Sequence, residues 1–386
     1  MPDPLRETAA IKALALEAGF DLVGITSAAP FPALHDLLLE RIRQGLMGGL
    51  AWFTADRAAV ASDVQQLVPT ARSIISLAMS YLGDDAYLPS TPGTPRGRVA
   101  RYAWGRDYHP LLLQQTARFI EQLRLRYGHS DARRGMVDTA RIVDRAVAQR
   151  AGVGWYGKNT CILTHSYGSW VLLAEVVTDL ELAPDRPVRT TCGACTRCMP
   201  ACPTGALIRP GVMDVGRCIS YLTIEERGAI APDLRTAMGD WIFGCDVCQE
   251  VCPVNRKAPA AARPEFGPAF GIGPSPELLP LLTLTPAEFA GRFAGTPIKR
   301  AKRSGLLRNV CVALGNIGDP VAIPALGVAL TSDAEPLVRA HAAWALGRWR
   351  TGAARPYLDQ ARQREREAAV YAEIETALAG AGSARA

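Results

Sequence analysis

The sequence predicts an α/β (α+β) chain in three parts: a mixed core, a small cysteine-rich insert and a C-terminal tail of helical repeats. Three observations carry this. Residues 1–185 interleave short apolar runs with segments of helical period. Eight of the ten cysteines fall between Cys192 and Cys252. Residues 297–386 repeat their apolar pattern at an offset of 32, as Ala313 to Ala345 shows. A chain of 386 residues, 48% hydrophobic, is long enough for two or three domains with real cores.

In the core, Leu5–Ala18 has helical periodicity and stops at Gly19, a C-cap residue. Asp21–Thr26 and Ser73–Tyr81 read as buried strands, and Leu111–Tyr127 as a helix. Arg141–Ala151 reads as a second helix. Thr160–Thr164 and Trp170–Thr178 then read as strands separated by a Ser166-Tyr167-Gly168 turn. Gly152-x-Gly154-x-x-Gly157 matches the dinucleotide fingerprint, which requires a strand before it and a helix after it. Here a helix precedes and a strand follows, so a nicotinamide cofactor is not supported.

The insert, residues 186–257, carries the chemistry. Cys192-x2-Cys195-x2-Cys198-x3-Cys202-Pro203 is the run of bacterial ferredoxins. Its first three thiolates cap one [4Fe–4S] cube and its fourth turns to another. The second run, Cys245-x2-Cys248-x3-Cys252-Pro253, has Ile242 where a first cysteine belongs, and Cys218 is the replacement. Eight cysteines then serve two clusters, leaving Cys161 and Cys311 outside. Paired zinc sites are the competing reading, but zinc uses C-x2-C pairs rather than a four-cysteine run ending in Cys-Pro. Disulfides are disfavoured in a reducing compartment. Met1-Pro2-Asp3-Pro4 has none of the features of an export signal, and no apolar run is long enough to span a bilayer. A cytoplasmic protein without a membrane partner is expected.

Residues 258–296 form a Pro- and Gly-rich linker and packing segment. Within it Thr285-Pro286-Ala287-Glu288 restarts a helix with a capping box. In the tail, the offset of 32 pairs Leu306 with Val338, Val310 with Ala342, Pro324 with Pro356 and Leu326 with Leu358. A weaker third copy holds Val370, Ile374, Ala377 and Leu378. This is a short HEAT-like array, each helix pair covering its neighbour's apolar face. Net charge is +6, compatible with an anionic partner. The run Lys299, Arg300, Lys302 and Arg303, followed by Arg308, is either a solvated face or a phosphate-binding strip.

Taken together, these motifs resemble the epoxyqueuosine reductase family over almost the whole chain. The likeness is carried by Asp138-Thr139 ahead of the Asp144-Arg-Ala-Val-Ala148 helix, Gly152-x-Gly154, Lys158-Asn159, Tyr167-Gly168-Ser169, both cysteine runs, Cys218–Thr223, Gly244-Cys245-Asp246 and the repeat tail. The resemblance implies a cobalamin-binding core (residues 1–185) and a tRNA-docking tail (residues 297–386). It implies removal of the epoxide oxygen of epoxyqueuosine in tRNA, with electrons from an external donor passing through two clusters to cobalamin. It makes Asp138 the general acid, for which a partly apolar pocket is expected to raise the pKa. It further implies cofactor contacts from Arg57, Asp138, Lys158, Asn159, Ile162, Ser169, Ser220, Gly244 and Asp246. Phosphate contacts are expected from Lys299, Arg300, Lys302, Arg303 and Arg308, in a monomer. One departure stands out: the family has glycine after Asp-Thr, and this chain has Ala140. A reductive dehalogenase-like enzyme is the rival within the same chemistry. A ferredoxin-like electron carrier, or an RNA-binding protein with structural clusters, is the rival outside it.

Overall fold

The computed structural model describes residues 4–261, 263–349 and 352–382. The chain divides into two compact units, each assembled from three separated stretches. The first comprises Met1–Gly83, Asp107–Gly216 and Val247–Arg263; the second comprises Asp84–Arg106, Arg217–Asp246 and Pro264–Ala386.

The first unit is built on four antiparallel strands: β1 (Leu22–Ser27), β2 (Ser73–Ser80), β3 (Arg134–Val137) and β4 (Val171–Thr178), in the order β1-β2-β4-β3. Its helices are α1 (Pro4–Glu17), α2 (Pro32–Arg43), α3 (Ala55–Ala61), α4 (Tyr108–Tyr127) and α5 (Asp144–Arg150). Every residue of β2 is buried, which is why small serines, and no charged residue, interrupt its apolar runs. Two glycines show how closely helices cover both faces. Gly24, Ser76, Glu175 and Met136 lie in one cross-strand row. A Cβ on Gly24 would fall 2.1 Å from the Ala151 carbonyl at the end of α5. Gly135, next to Met136 and so facing the other way, would place a Cβ 2.5 Å from Thr116 Oγ1 of α4. Asp107 caps α4 by accepting from the His109 amide at 3.0 Å.

After α5 the chain turns at Gly152, with φ +73°, into a small ribbon of Trp155–Tyr156 and Ile162–Leu163. The order is helix then strand, as the sequence predicts. The Thr160–Thr164 strand is shorter than expected, and β3 was not foreseen.

The second unit has one continuous core. It runs from Val99, Trp104, Ile242 and Phe243 through Leu278 and Phe289 into the tail helices α6 (Lys302–Ile317), α7 (Ala322–Ser332), α8 (Pro336–Leu346), α9 (Arg355–Arg364) and α10 (Ala368–Gly382). Thr285 and Glu288 form the expected capping box. The repeat register holds in three dimensions: Leu306, Val338 and Val370 are buried, as are Val310, Ala342 and Ile374. The two equivalent glycines make equivalent contacts. A Cβ on Gly315 would lie 3.0 Å from Ala345 Cα, and one on Gly347 2.7 Å from Ala377 Cβ. Helices one repeat apart therefore touch backbone to backbone. Among the described residues no helix is long and apolar enough to cross a membrane.

Candidate active site

Asp138 follows β3 directly and begins a loop that ends at α5. It is not in an apolar pocket, as the sequence led one to expect: its side chain is 43% exposed. Two neighbours on the first turn of α4 hold it instead. The Tyr108 hydroxyl donates to Oδ2, and His109 Nε2 lies 2.8 Å from Oδ1. The ring N–H does not point straight along that contact, so charge attraction carries more of it than an aligned hydrogen bond does. On its other side His109 Nδ1 sits 2.7 Å from Asp107 Oδ1, and the imidazole stacks on Tyr108 with centroids 4.1 Å apart.

Burial alone would lower the His109 pKa, but the hydrogen bonds and charges of Asp107 and Asp138 reverse this and raise it to about 9. Asp107 itself, despite burial, is pulled below the ordinary carboxylate value by His109. An imidazolium held between two carboxylates is therefore the state at neutral pH.

The loop is clamped from α3. Arg57 Nη2 donates to the Ala140 carbonyl at 3.2 Å, and its guanidinium lies 4.5 Å over the Trp52 ring. Burial and the charge of Arg141 lower the Arg57 pKa. Ala140 fits the loop without strain: among the described residues only Thr160 and Lys302 combine a side chain with a positive φ.

Behind the loop, α5 opens with Asp144 and Arg145. Their side chains are 22% and 50% exposed. Arg145 Nη1 donates to the Thr160 carbonyl at 3.1 Å. Burial opposes the Arg145 charge, but Asp144, Tyr156, Cys161 and Asp138 outweigh it and raise its pKa. Burial pushes Tyr156 up to about 12. Below α5, Glu175 has no exposed surface and no hydrogen-bond partner among the described residues, and Ser76 Oγ opposite it is likewise unpartnered. Burial, then the charges of Asp144 and Asp138, raise the Glu175 pKa well above the usual range.

Several expected contacts have other duties. Lys158 Nζ donates to the Gly193 carbonyl at 2.7 Å, inside the first cysteine run. Asn159 Nδ2 reaches the Cys248 carbonyl at 3.4 Å. Ser169 Oγ accepts from Asn255 at 2.8 Å and Gln249 at 3.0 Å. Lys158 thus fastens the core to the first cysteine run, and Asn159 and Ser169 fasten it to the second. A Cβ at Gly168 would fall 2.1 Å from Asn255 Oδ1, which explains the Tyr-Gly-Ser sequence. Ile162 is core. In the second unit Ser220 lies in the short helix Ile219–Ile224. Gly244 takes φ +67° where a Cβ would meet Ala100. Asp246 is buried and accepts from the Tyr87 hydroxyl and the Arg101 amide, which makes it a packing anchor.

In the first unit Cys198 and Cys252 have raised pKa values, first from burial and then from neighbouring Cys192 and Cys195. Four sulfurs that crowd one another in this way fit a group that absorbs thiolate charge. Cys202 and Cys248 belong to the first unit, Cys218 and Cys245 to the second.

The basic run is not the uniform strip the sequence suggested. Arg308 is fully buried and donates to the carbonyls of Leu222, Glu226 and Gly228; burial lowers its pKa to about 10. Arg303 is forked onto Asp333 and donates to the Leu284 carbonyl. Arg300 pairs with Glu225. Lys299 and Lys302 are exposed.

Comparison with known proteins agrees with this organisation. The profile described as "Epoxyqueuosine reductase QueG, DUF1730" matches residues 62–139. A 4Fe-4S double cluster binding domain matches residues 191–255, and HEAT repeats match residues 300–379. A crystal structure of an epoxyqueuosine reductase with an epoxyqueuosine-modified tRNA-Tyr stem loop superposes with a TM-score of 0.91 at 33% identity, covering 97% of this chain and 99% of that one. The Bacillus subtilis enzyme structure, with its catalytic aspartate loop swung out of the active site, gives 0.90 at 34% identity, with the same coverage of both chains. The epoxyqueuosine reductase of Bacillus subtilis (strain 168) is 37% identical over 362 residues, 93% of this chain and 92% of its own length. With a relative this similar along nearly its whole length, the chain belongs to the epoxyqueuosine reductase family.

Proposed function

We propose that this chain, as a cytoplasmic monomer, reduces epoxyqueuosine in tRNA to queuosine, with Asp138 as proton donor. The observation that carries the assignment of the acid is the array of Tyr108 and His109 on the Asp138 carboxylate, on a solvent-reached loop. The Bacillus subtilis relative, whose corresponding loop swings, supports the same reading. The net step takes the epoxide, two electrons and two protons to an alkene and water. The departing oxygen needs protons where it leaves, and general acids supply such help at about 10²–10⁴-fold. Asp138 delivers the proton, the His109 imidazolium and Tyr108 hydroxyl replenish it, and Asp107 keeps His109 charged. Arg57 holds the loop by Ala140.

The polar side chains near Asp138, those of Asp144, Arg145 and Tyr156, are proposed to meet a macrocycle fringed with amides. Cobalamin bound there would supply a low-valent cobalt able to break the epoxide C–O bond. Cys192, Cys195, Cys198 and Cys252 are proposed for one [4Fe–4S] cluster, and Cys202, Cys218, Cys245 and Cys248 for the other. The tail, with the exposed Lys299 and Lys302, is proposed for tRNA phosphates; Arg303 and Arg308 are not.

The test is anaerobic turnover of the cluster- and cobalamin-loaded enzyme on tRNA carrying epoxyqueuosine, followed by mass analysis of its nucleosides. Queuosine is the expected product. Unchanged epoxyqueuosine with a reduced, fully loaded enzyme would overturn the reading.

A further inference from the structure

The reaction consumes two electrons per turnover, and each must arrive from outside through a cluster that carries one at a time. The two cysteine runs differ in what covers them. Between the cysteines of the first run, Gly193, Ala194, Thr196 and Arg197 are all exposed, as are Thr191 and Pro203 on its flanks. In the second run the residue after Cys245, Asp246, is buried. Solvent therefore meets the first run directly.

The charge around that run has one sign. Residues 186–213 hold Arg186, Arg189, Arg197 and Arg209 and no Asp or Glu. Arg256 and Lys257 follow Cys252, whose thiol feels Cys192 and Cys195 and so stands beside them. All six cations are exposed. Among the described residues none of them has an ion-pair partner. The acids that bound this stretch are Asp185, which is taken up by Lys12 and the Ile25 amide, and Asp214, which accepts from the Gly216 amide. Lys158 adds its ammonium to the Gly193 carbonyl of the same loop. Within this basic field Ile208 is 48% exposed, on the ribbon Leu207–Arg209 that packs against the short helix Cys198–Ala201.

We propose that this face of the first unit is the docking surface for the electron donor, and that the donor is an acidic, single-electron carrier protein of iron–sulfur or flavin type. The inference rests on the functional reading above. Six unpaired cations steer an acidic partner in from a distance. Ile208 and the exposed backbone of the Cys192–Cys195 turn allow a close, partly apolar contact over the cluster. Each encounter oxidises the carrier by one electron and reduces the cluster by one. Two encounters supply one epoxide reduction, with the two protons taken from solvent. RNA fits the charge but brings no electron, and these cations surround the thiolates proposed to hold a cluster that must be reduced.

The experiment uses the cluster-loaded full chain and a variant with Arg189, Arg209, Arg256 and Lys257 all changed to Glu. Stopped-flow spectra follow cluster reduction by a photoreduced acidic ferredoxin, and by reduced methyl viologen as a small cationic control, at several salt concentrations. For wild type, the ferredoxin rate should fall steeply with salt. In the charge-reversed variant it should be at least about ten-fold lower at low salt, within the range that steering provides, and should no longer fall as salt is added. Viologen reduction should not slow. A second variant, Arg189, Arg209 and Arg256 all to Lys, should keep both the rate and its salt dependence.

Equal ferredoxin rates and slopes in wild type and the Glu variant would overturn the proposal. So would a Glu variant that loses tRNA affinity while its ferredoxin kinetics stay intact, since the face would then belong to RNA. Viologen-driven conversion of tRNA by wild type reads the functional assignment separately, because it needs no donor surface.

Discussion

His109 Nε2 lies 2.8 Å from Asp138 Oδ1, while its Nδ1 lies 2.7 Å from Asp107 Oδ1. One imidazole thus spans two carboxylates, with its charge favoured on both sides. The proton that Asp138 is proposed to deliver would be stored next to it, on a ring whose pKa is raised to about 9. On that proposal, an exposed carboxylate works as an acid without the apolar burial that usually raises its pKa.

Asp138→Asn should leave cluster absorbance and cofactor loading unchanged while lowering single-turnover epoxide reduction about 10²–10⁴-fold. Rapid-quench kinetics at neutral pH check this. A rate near wild type would remove Asp138 from the role.

His109 is raised from 6.5 to about 9 in the folded chain. A raised pKa means that the folded state binds the proton more tightly, so its stabilisation is complete below pH 6.5 and is lost as pH rises through 9. His109→Gln should therefore be less stable than wild type at pH 6, and the gap should close by about pH 10. Anaerobic thermal unfolding across that range is the measurement.

Glu175 shows the same sign at a lower pH. Its folded pKa lies well above the ordinary 4.5, chiefly through burial. Stability should be greatest below that value and decline as pH rises, because the unfolded chain ionises first. Glu175→Gln keeps the shape without the ionisation, so it should be more stable than wild type at pH 8 and lose the advantage near pH 4.5. A loss of stability at pH 8 would show that the acid group does something Gln cannot.

The tail separates two kinds of cation. Arg308→Ala strands the carbonyls of Leu222, Glu226 and Gly228, each costing about 1–3 kcal/mol if left unpaired in the interior. Thermal unfolding should show a large loss. Lys299→Ala with Lys302→Ala should leave stability unchanged and flatten the salt dependence of tRNA binding by about 0.7–0.9 log unit per lost contact. Titrations at several salt concentrations read both outcomes.

How much of this could be read beforehand depends on whether the deciding force is local. β1, β2 and β4 announce themselves because strands covered on both faces need apolar residues in succession. β3, Arg-Gly-Met-Val, shows no such pattern and owes its state to pairing with β4. The repeat register was legible because stacking demands the same small or apolar residue at each equivalent position. The site was not. Tyr108 and His109 meet Asp138 from about thirty residues away, across a distance that no local pattern encodes. Arg308 did carry a warning: every residue from Gly305 to Gly315 is buried, and a helix apolar all round has no solvent face on which to display a charge. Lys299–Arg308 is therefore not one continuous charged face.

The division of the chain into interleaved thirds has a consequence for its synthesis. A ribosome that has reached Gly216 has made the sheet and most of the first unit, yet the stretch from Val247 to Arg263 is still to come. That stretch brings Cys252, the last of the four thiolates proposed for the first cluster, and Asn255, which secures Ser169. Nascent chains stopped before it should present three sulfurs and an unfastened turn, so iron loading is expected late, after translation has passed Arg263. Domains ordinarily fold as they emerge. Here the emerging chain must wait for a later segment to return, and a deletion made at the edge of the repeats would take with it most of the second unit.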